Sequence, residues 1–231
     1  MLVLILLGMD VFYLRNRRLF YLLGREDWPA LALYLEDRVI KRGHYSSLPV
    51  RLLANTYLVL SDYRAVTDLE TRTAGVKPRL VDAGALIFGT ARILGKDYEG
   101  AVRFFEEKAG KAKGGTAAWV RWYAGFARFL DRQFSQAADR FVVIAVEEED
   151  AALTGLSSYF LAASLAGMLP GRSPELTAAA ENGRKRVRAA LPVRDAWNKE
   201  IDKIRSEVYV AVLSKYLDET SEWLYVKENL S

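Results

Sequence analysis

Residues 117–146 read AAWVRWYAGFARFLDRQFSQAADRFVVIAV, two helices joined by a short turn at Asp131–Gln133. In the first helix the polar residues form a thin line, Arg121, Gly125, Arg128 and Arg132, at spacings of 4, 3 and 4. Between them stand Trp119, Trp122, Tyr123, Phe126 and Phe129. A helix with so narrow a polar stripe is packed on most of its sides. Phe134 and Ala137 open the second helix, with Phe141, Ile144 and Ala145 on its apolar side.

Working outward, the same opening recurs upstream. An acidic or polar turn residue is followed by an aromatic, then three residues later by a small or apolar one: Asp27-Trp28-Pro29-Ala30-Leu31, Asp62-Tyr63-Arg64-Ala65-Val66, Asp97-Tyr98-Glu99-Gly100-Ala101 and Gln133-Phe134-Ser135-Gln136-Ala137. The aromatics at 28, 63, 98 and 134 stand 35, 35 and 36 residues apart. A fixed period of this length marks a stack of helix pairs. Such units cannot bury their apolar faces alone and must pile on one another.

These residues resemble the tetratricopeptide repeat family, whose unit is 34 residues. Tyr98/Ala101 and Phe134/Ala137 match its second-helix opening, with Phe105 and Phe141 at the next apolar position. Val50, Leu53, Ala54 and Tyr57 best match its first helix, and Pro78 stands where the family's closing proline falls. The first unit is irregular, the first-helix signature is eroded in units one and three, and the turns are often a residue longer. The match covers about 12–146 clearly and 150–190 weakly. The resemblance implies an all-α, right-handed superhelical solenoid of about five helix pairs.

Half of the 231 residues are apolar and 12% aromatic, enough for a substantial core. With no cysteine, disulfides and thiolate metal sites are excluded, and with one histidine, His44, so is a two-histidine zinc site. No catalytic constellation is visible and no cofactor is expected. The net charge of +4 is mildly basic, well short of a dense nucleic-acid binder.

Met1–Leu7 is continuously apolar, Gly8-Met9-Asp10 interrupts it, Val11–Leu14 resumes it, and Arg15, Arg17 and Arg18 follow. A full membrane span needs ~20 apolar residues. Residues 1–14 therefore read in three ways: the C-terminal half of an anchor that starts upstream, a short interfacial anchor, or the first apolar helix of the stack. As an anchor, its trailing arginines favour a membrane-associated protein with a cytoplasmic helical body. Otherwise the chain is expected to be cytoplasmic.

Asp150 caps a fifth first helix, Ala151–Ala166, with Leu153, Leu156, Phe160, Ala163 and Leu165 apolar and Thr154, Ser157, Ser158 and Ser164 facing water. Ser173-Pro174-Glu175 starts its partner, which carries the basic run Arg184, Lys185, Arg186, Arg188. That run reads as a solvated helix face, with anionic lipid the alternative. From Asp195 to Asn229 apolar residues recur at three and four, Trp197, Ile201, Ile204, Val208, Ala211, Val212 and Tyr216, predicting one long capping helix with a bend near Asp218–Thr220. The expected organisation is thus an apolar segment at 1–14, a repeat domain over 12–190 and a capping helix over 191–231. No linker-like composition divides it, so one continuous body is expected.

If first helices line an inner surface, their polar stripes mark it. Aligning Arg51/Asn55/Leu58, Asp82/Ala85/Gly89/Arg92 and Arg121/Gly125/Arg128 gives a largely basic strip, with Gly89 and Gly125 at its deepest points. Arg51, Asn55, Asp82, Arg92, Arg121 and Arg128 are the candidate binding residues. The alternative is that these arginines are the solvated edge of the helices or pair with Asp82 and neighbouring glutamates. Arg51 and Asn55 also match the start of a known carboxylate clamp, but Ile87 and other apolar residues stand where it would continue. The expected function is a non-catalytic protein–protein interaction scaffold that binds a peptide or protein segment along the inner face, an acidic one if the strip sets specificity. Two other readings are a small-ligand carrier or enzyme with an apolar cavity around Trp119–Phe126, and a self-assembly module through the C-terminal helix. Glu147–Asp150 reads as a helix-capping loop and His44 as a surface loop residue.

Overall fold

The computed structural model describes residues 16–112 and 114–225, and these are helical with no strand. The chain divides into two compact units, 1–84 and 85–231. In unit 1, helical residues 16–24 (α1) precede α2 (Trp28–Glu36), which runs on through a π turn, Asp37–Lys41. Then come α3 (Ser47–Val59), α4 (Tyr63–Val76) and a short α5 (Pro78–Ala83). In unit 2, α6 (Ala85–Leu94), α7 (Tyr98–Ala109), α8 (Gly115–Leu130), α9 (Phe134–Glu147), α10 (Ala151–Phe160) and α11 (Ser173–Ala190) follow. Residues 1–14 lie outside the described residues.

The four aromatic openers are the first residues of α2, α4, α7 and α9, and each follows the same turn. Glu26, Ser61, Lys96 and Arg132 take φ of 52, 58, 62 and 61°. The next residue's N–H reaches back to a carbonyl five residues earlier: Asp27 to Leu22, Asp62 to Tyr57, Asp97 to Arg92 and Gln133 to Arg128. This is the helix-closing hydrogen-bond pattern that usually recruits glycine. Here four non-glycine residues hold the left-handed conformation, each at about 1–2 kcal/mol. What offsets the strain is the cap that follows. Asp27, Asp62 and Asp97 carboxylates accept the N–H of Ala30, Ala65 and Gly100 at 3.2, 3.0 and 2.9 Å, contacts worth about 1 kcal/mol apiece. Leu31, Val66, Ala101 and Ala137, three residues past the aromatics, are all fully buried.

In unit 2 consecutive helices from α6 to α11 pack side by side, and α6 also meets α8, as α9 meets α11. Trp122, Tyr123, Phe126, Phe141 and Phe160 form a continuous ring cluster with centroids 5.1–6.1 Å apart. Gly89 and Gly125 serve this packing. A Cβ on Gly89 would sit 2.1 Å from Phe105 Cζ, and one on Gly125 3.0 Å from Phe141 Cε1. Both glycines face the partner helix of their own pair, so neither is the floor of an inner face.

Two expectations about α10 change. Thr154, Ser157 and Ser158 are buried, because α9, α11 and the C-terminal helices close on several sides of α10 at once. Small hydroxyl side chains let them approach, and Thr154 and Ser158 bond to the carbonyls of Glu148 and Thr154. A π turn at Leu161–Leu165 then shifts the register, leaving Ala163 exposed. Among the described residues Ala151–Met168 is the one helix long and apolar enough to cross a membrane, and 61% of it is buried inside the protein.

The C-terminal region is not one long helix. It forms α12 (Arg194–Asp202), one turn of α13 (Val208–Ala211) and α14 (Ser214–Tyr225), with breaks at 203–207 and 212–213. The expected bend at Asp218–Thr220 lies inside α14. Val208, Val210 and Val212 crowd the helix. At the second break the Leu213 N–H bonds to Val210 O, which frees the Tyr209 carbonyl to accept the Tyr123 hydroxyl. The breaks also reset the apolar seam, so Val210, Leu213, Leu217 and Leu224 are the buried positions.

Candidate functional site

Counting back from each aromatic opener gives the first helices a common register. Arg51, Leu86 and Trp122 stand twelve residues before theirs, and Asn55, Thr90 and Phe126 eight before. Arg92 and Arg128 stand six before, level with Tyr57. The six candidate residues therefore belong to different sides of their helices, and the strip as aligned from sequence dissolves.

The position six before the opener is a seam between successive pairs. Arg128 Nε donates to Glu106 Oε1 at 3.0 Å, and its Nη1 donates to Gln133 and Gln136. Arg140 shares the same glutamate at 2.6 Å. Tyr57 makes the equivalent bond in unit 1, donating to Glu36 Oε1 at 2.8 Å. Glu36 and Glu106 each lie eight residues after an opener. Arg92 is stacked 4.5 Å from the Phe104 ring centroid and donates to Phe88 O. Arg121 approaches Glu148 at 3.4 Å. These arginines are engaged with their own protein, Arg121 and Arg128 with glutamates and Arg92 with a ring and a carbonyl. Asp82 is half-buried in α5.

The position twelve before the opener leads to the other side. In unit 2 it is apolar or aromatic, Leu86 and Trp122, and the C-terminal segment packs on neighbouring positions of the same helices. Trp119 meets the Tyr209 ring at 5.4 Å, Phe126 and Phe160 meet Tyr216 at 5.7 and 4.9 Å, and α13 packs on α6. Tyr159 donates to Glu219 at 2.9 Å and stacks edge-on with Trp223. Burial pushes the Tyr123 hydroxyl well above the ordinary tyrosine range. Burial, reinforced by Glu219, pushes Tyr159 up to about 12. The aromatics around Trp119–Phe126 thus pack on the chain's own tyrosines. In unit 1 the same side of α3 carries Arg51, exposed, and Asn55, whose Oδ1 is buried without a hydrogen-bond partner among the described residues. Leu48 and Val59, also on α3, are 45% and 51% exposed.

The basic run of α11 is largely spent internally. Arg184 donates to Leu224 O and lies 5.1 Å from the Trp223 ring centroid, while Arg186 donates to Ala145 O and Glu148 O at 2.8 and 2.7 Å. Lys185 and Arg188 are exposed. Asp150 caps α10, accepting from Ala152 and Leu153.

Sequence reading passed over a cleft in unit 1. Two adjoining cavities, ≈ 350 and ≈ 200 Å³, share Arg38 and His44 as walls. Gly43, Tyr45, Ser46 and Lys77 line the larger and Tyr34, Asp37 and Arg42 the smaller. The available signal was the clustering of Arg38, Lys41, Arg42 and His44 around Gly43. The π turn that gathers them leaves no mark in apolar periodicity.

Comparison with known proteins adds kinship. A protein of Treponema pallidum (strain Nichols) described as "Uncharacterized protein" is 28% identical over 228 residues, 96% of this chain and 72% of its own length. A family model described as "Uncharacterised Treponema protein" matches residues 65–226, from within α4 through all of α6–α14. That match spans well over half of the sequence, and the chain belongs to this Treponema family.

Proposed function

We propose that this chain is a non-catalytic scaffold whose helix pairs are tetratricopeptide-like repeats of a right-handed solenoid, and that it binds a peptide or protein segment along the inner side of its first helices. The four-fold recurrence of turn, cap and opener supports the repeat reading. One observation carries the binding reading. In unit 2 this side of α6, α8 and α10 already holds a polypeptide segment, residues 207–225 of the chain itself, with a side-chain hydroxyl of α8 donating to its main chain.

The equivalent side of α3 is where an incoming segment docks. Leu48 and Val59 offer apolar contact, Arg51 an unspent guanidinium for a carboxylate. Asn55 Oδ1 lacks a donor among the described residues, and a turn of this half-buried side chain toward a docked segment gives it a main-chain N–H. Leaving such an acceptor buried and unbonded costs about 1–3 kcal/mol. The recognition residues are therefore Arg51 and Asn55 rather than Arg92, Arg121 and Arg128. Packing of Tyr209 and Tyr216 on the aromatics of α8 and α10 disfavours the ligand-cavity reading, and burial of α14 in its own unit disfavours self-assembly through it. Tethering through residues 1–14, with the body on the cytoplasmic side, belongs to the same proposal. Alkaline carbonate extraction of native membranes tests it, since only a chain lacking 1–14 should then be released.

Selection of acidic peptides from a random display library tests the docking side. Selected peptides should lose about tenfold or more in affinity, roughly the 1.4 kcal/mol of one charge-assisted contact, on Arg51→Glu with Asn55→Ala. Arg121→Glu with Arg128→Glu should leave affinity unchanged. Failure to enrich any peptide, or a loss that follows the second pair, defeats the proposal.

A further inference from the structure

We infer that unit 1 carries a binding site for a phosphoryl group, in the cleft walled by Arg38, His44 and Lys77; this stands independently of the peptide-docking proposal. The three cationic or protonatable side chains come from three segments: the π turn that ends α2, the loop after it, and the junction of α4 and α5. None forms an ion pair among the described residues. Arg38 Nη1 is held by Asn16 Oδ1 at 2.9 Å and Lys77 Nζ by the Tyr45 carbonyl at 2.7 Å. Neutral acceptors orient these groups while leaving their charge intact. Among the described residues that line the two cavities Asp37 is the one carboxylate, and Arg42 takes it at 2.7 Å. Among the described residues the larger cavity has no carboxylate in its lining.

Elsewhere several arginines are matched to acids: Arg128 and Arg140 to Glu106, Arg172 to Asp139 and Glu175. Gathering like charges without a counter-charge is unfavourable, and an anion in the cleft removes that cost. The donors are of three kinds, a guanidinium fork, a ring N–H and an ammonium, and the Ser46 hydroxyl, which makes no capping bond to α3, lines the same wall. Three donors from separate segments suit the diverging oxygens of a tetrahedral phosphoryl group better than the two coplanar oxygens of a carboxylate. At ≈ 350 Å³ the cleft has room for a small phosphate monoester as well as for free phosphate.

Calorimetric titration of the full chain with inorganic phosphate, phenyl phosphate and benzoate tests the site. Phenyl phosphate should bind at least about tenfold more tightly than benzoate, and Arg38→Gln with Lys77→Gln should weaken it by about tenfold or more. His44→Ala, whose ring bonds nothing among the described residues, should weaken it severalfold without a change in far-ultraviolet circular dichroism. Phenyl phosphate tighter than phosphate identifies a monoester site, and equal affinity a site for the free ion; either supports the inference. Benzoate binding as well as phenyl phosphate, no binding of either phosphate, or binding indifferent to both sets of substitutions in folded protein overturns it.

Discussion

Helices α3 and α8 hold the same place in their pairs, and on the same side they present opposite chemistry. Trp119, Trp122 and Phe126 of α8 fall level with Leu48, Arg51 and Asn55 of α3, counted from Phe134 and Tyr63. The α8 residues are almost completely buried, while Leu48 and Arg51 are exposed. The turn, cap and opener that build the two pairs are alike, so the repeat itself does not decide what this side does. A single point on the side chain list does: aromatics recruit the chain's own C-terminal segment, and Arg51 with Asn55 does not.

The largest effect should come from removing that segment. Deleting residues 204–231 strips Val210, Leu213, Leu217 and Leu224 from unit 2, each worth about 1.5–3 kcal/mol of burial. Hydrogen exchange should then show protection lost throughout α6, α8 and α10 and kept in α2–α4. Protection lost equally in both units would break the comparison. Next in size, Phe160→Ala in unit 2 and Leu53→Ala in unit 1 should each cost about 3–5 and 2–5 kcal/mol respectively, both residues being almost fully buried. Denaturation followed by exchange should show each loss confined to its own unit.

A smaller, pH-dependent effect belongs to unit 2. Tyr159 is raised from 10.0 to about 12 by burial and by Glu219. A raised tyrosine favours the neutral form in the folded state, so its contribution is complete below pH 10 and lost as pH climbs through 12. Chemical denaturation of Tyr159→Phe across that window should show a shallower loss of stability than wild type. Smallest of all, Ser61→Gly in unit 1 and Lys96→Gly in unit 2 relieve left-handed strain at equivalent turns. Each should raise stability by about 0.5–1 kcal/mol, after the added freedom of the unfolded glycine is counted. Unequal gains in thermal melting would show that the two turns are not the same device.

The openers were legible in sequence because one physical need, a cap followed by a buried apolar residue, fixes residue type at a fixed interval. The first helices were harder. Their register is anchored only at the turn, and the polar line Arg121, Gly125, Arg128 looked like a wet face. Its members are polar for different reasons: Gly125 admits Phe141, and Arg128 bridges to Glu106. Aligning α3 by its stripe misplaced Arg51 by one residue, enough to move it to another side. At the turns, too, residue type gives no sign of the strained position: Lys96 takes the positive φ and Gly95 beside it does not. The second C-terminal break accompanies a contact with Tyr123, which no local pattern reports.

That contact has a consequence for how the protein is made. Tyr123 and Tyr209 are 86 residues apart in sequence. During synthesis the repeats of unit 2 emerge and pair locally well before the segment that covers Trp119, Phe126 and Phe160 has left the ribosome. The nascent chain therefore carries a bare aromatic surface while the 86 residues from Tyr123 to Tyr209 are made, and non-local closure of this kind is slow. In unit 2 the order of manufacture runs against the order of protection.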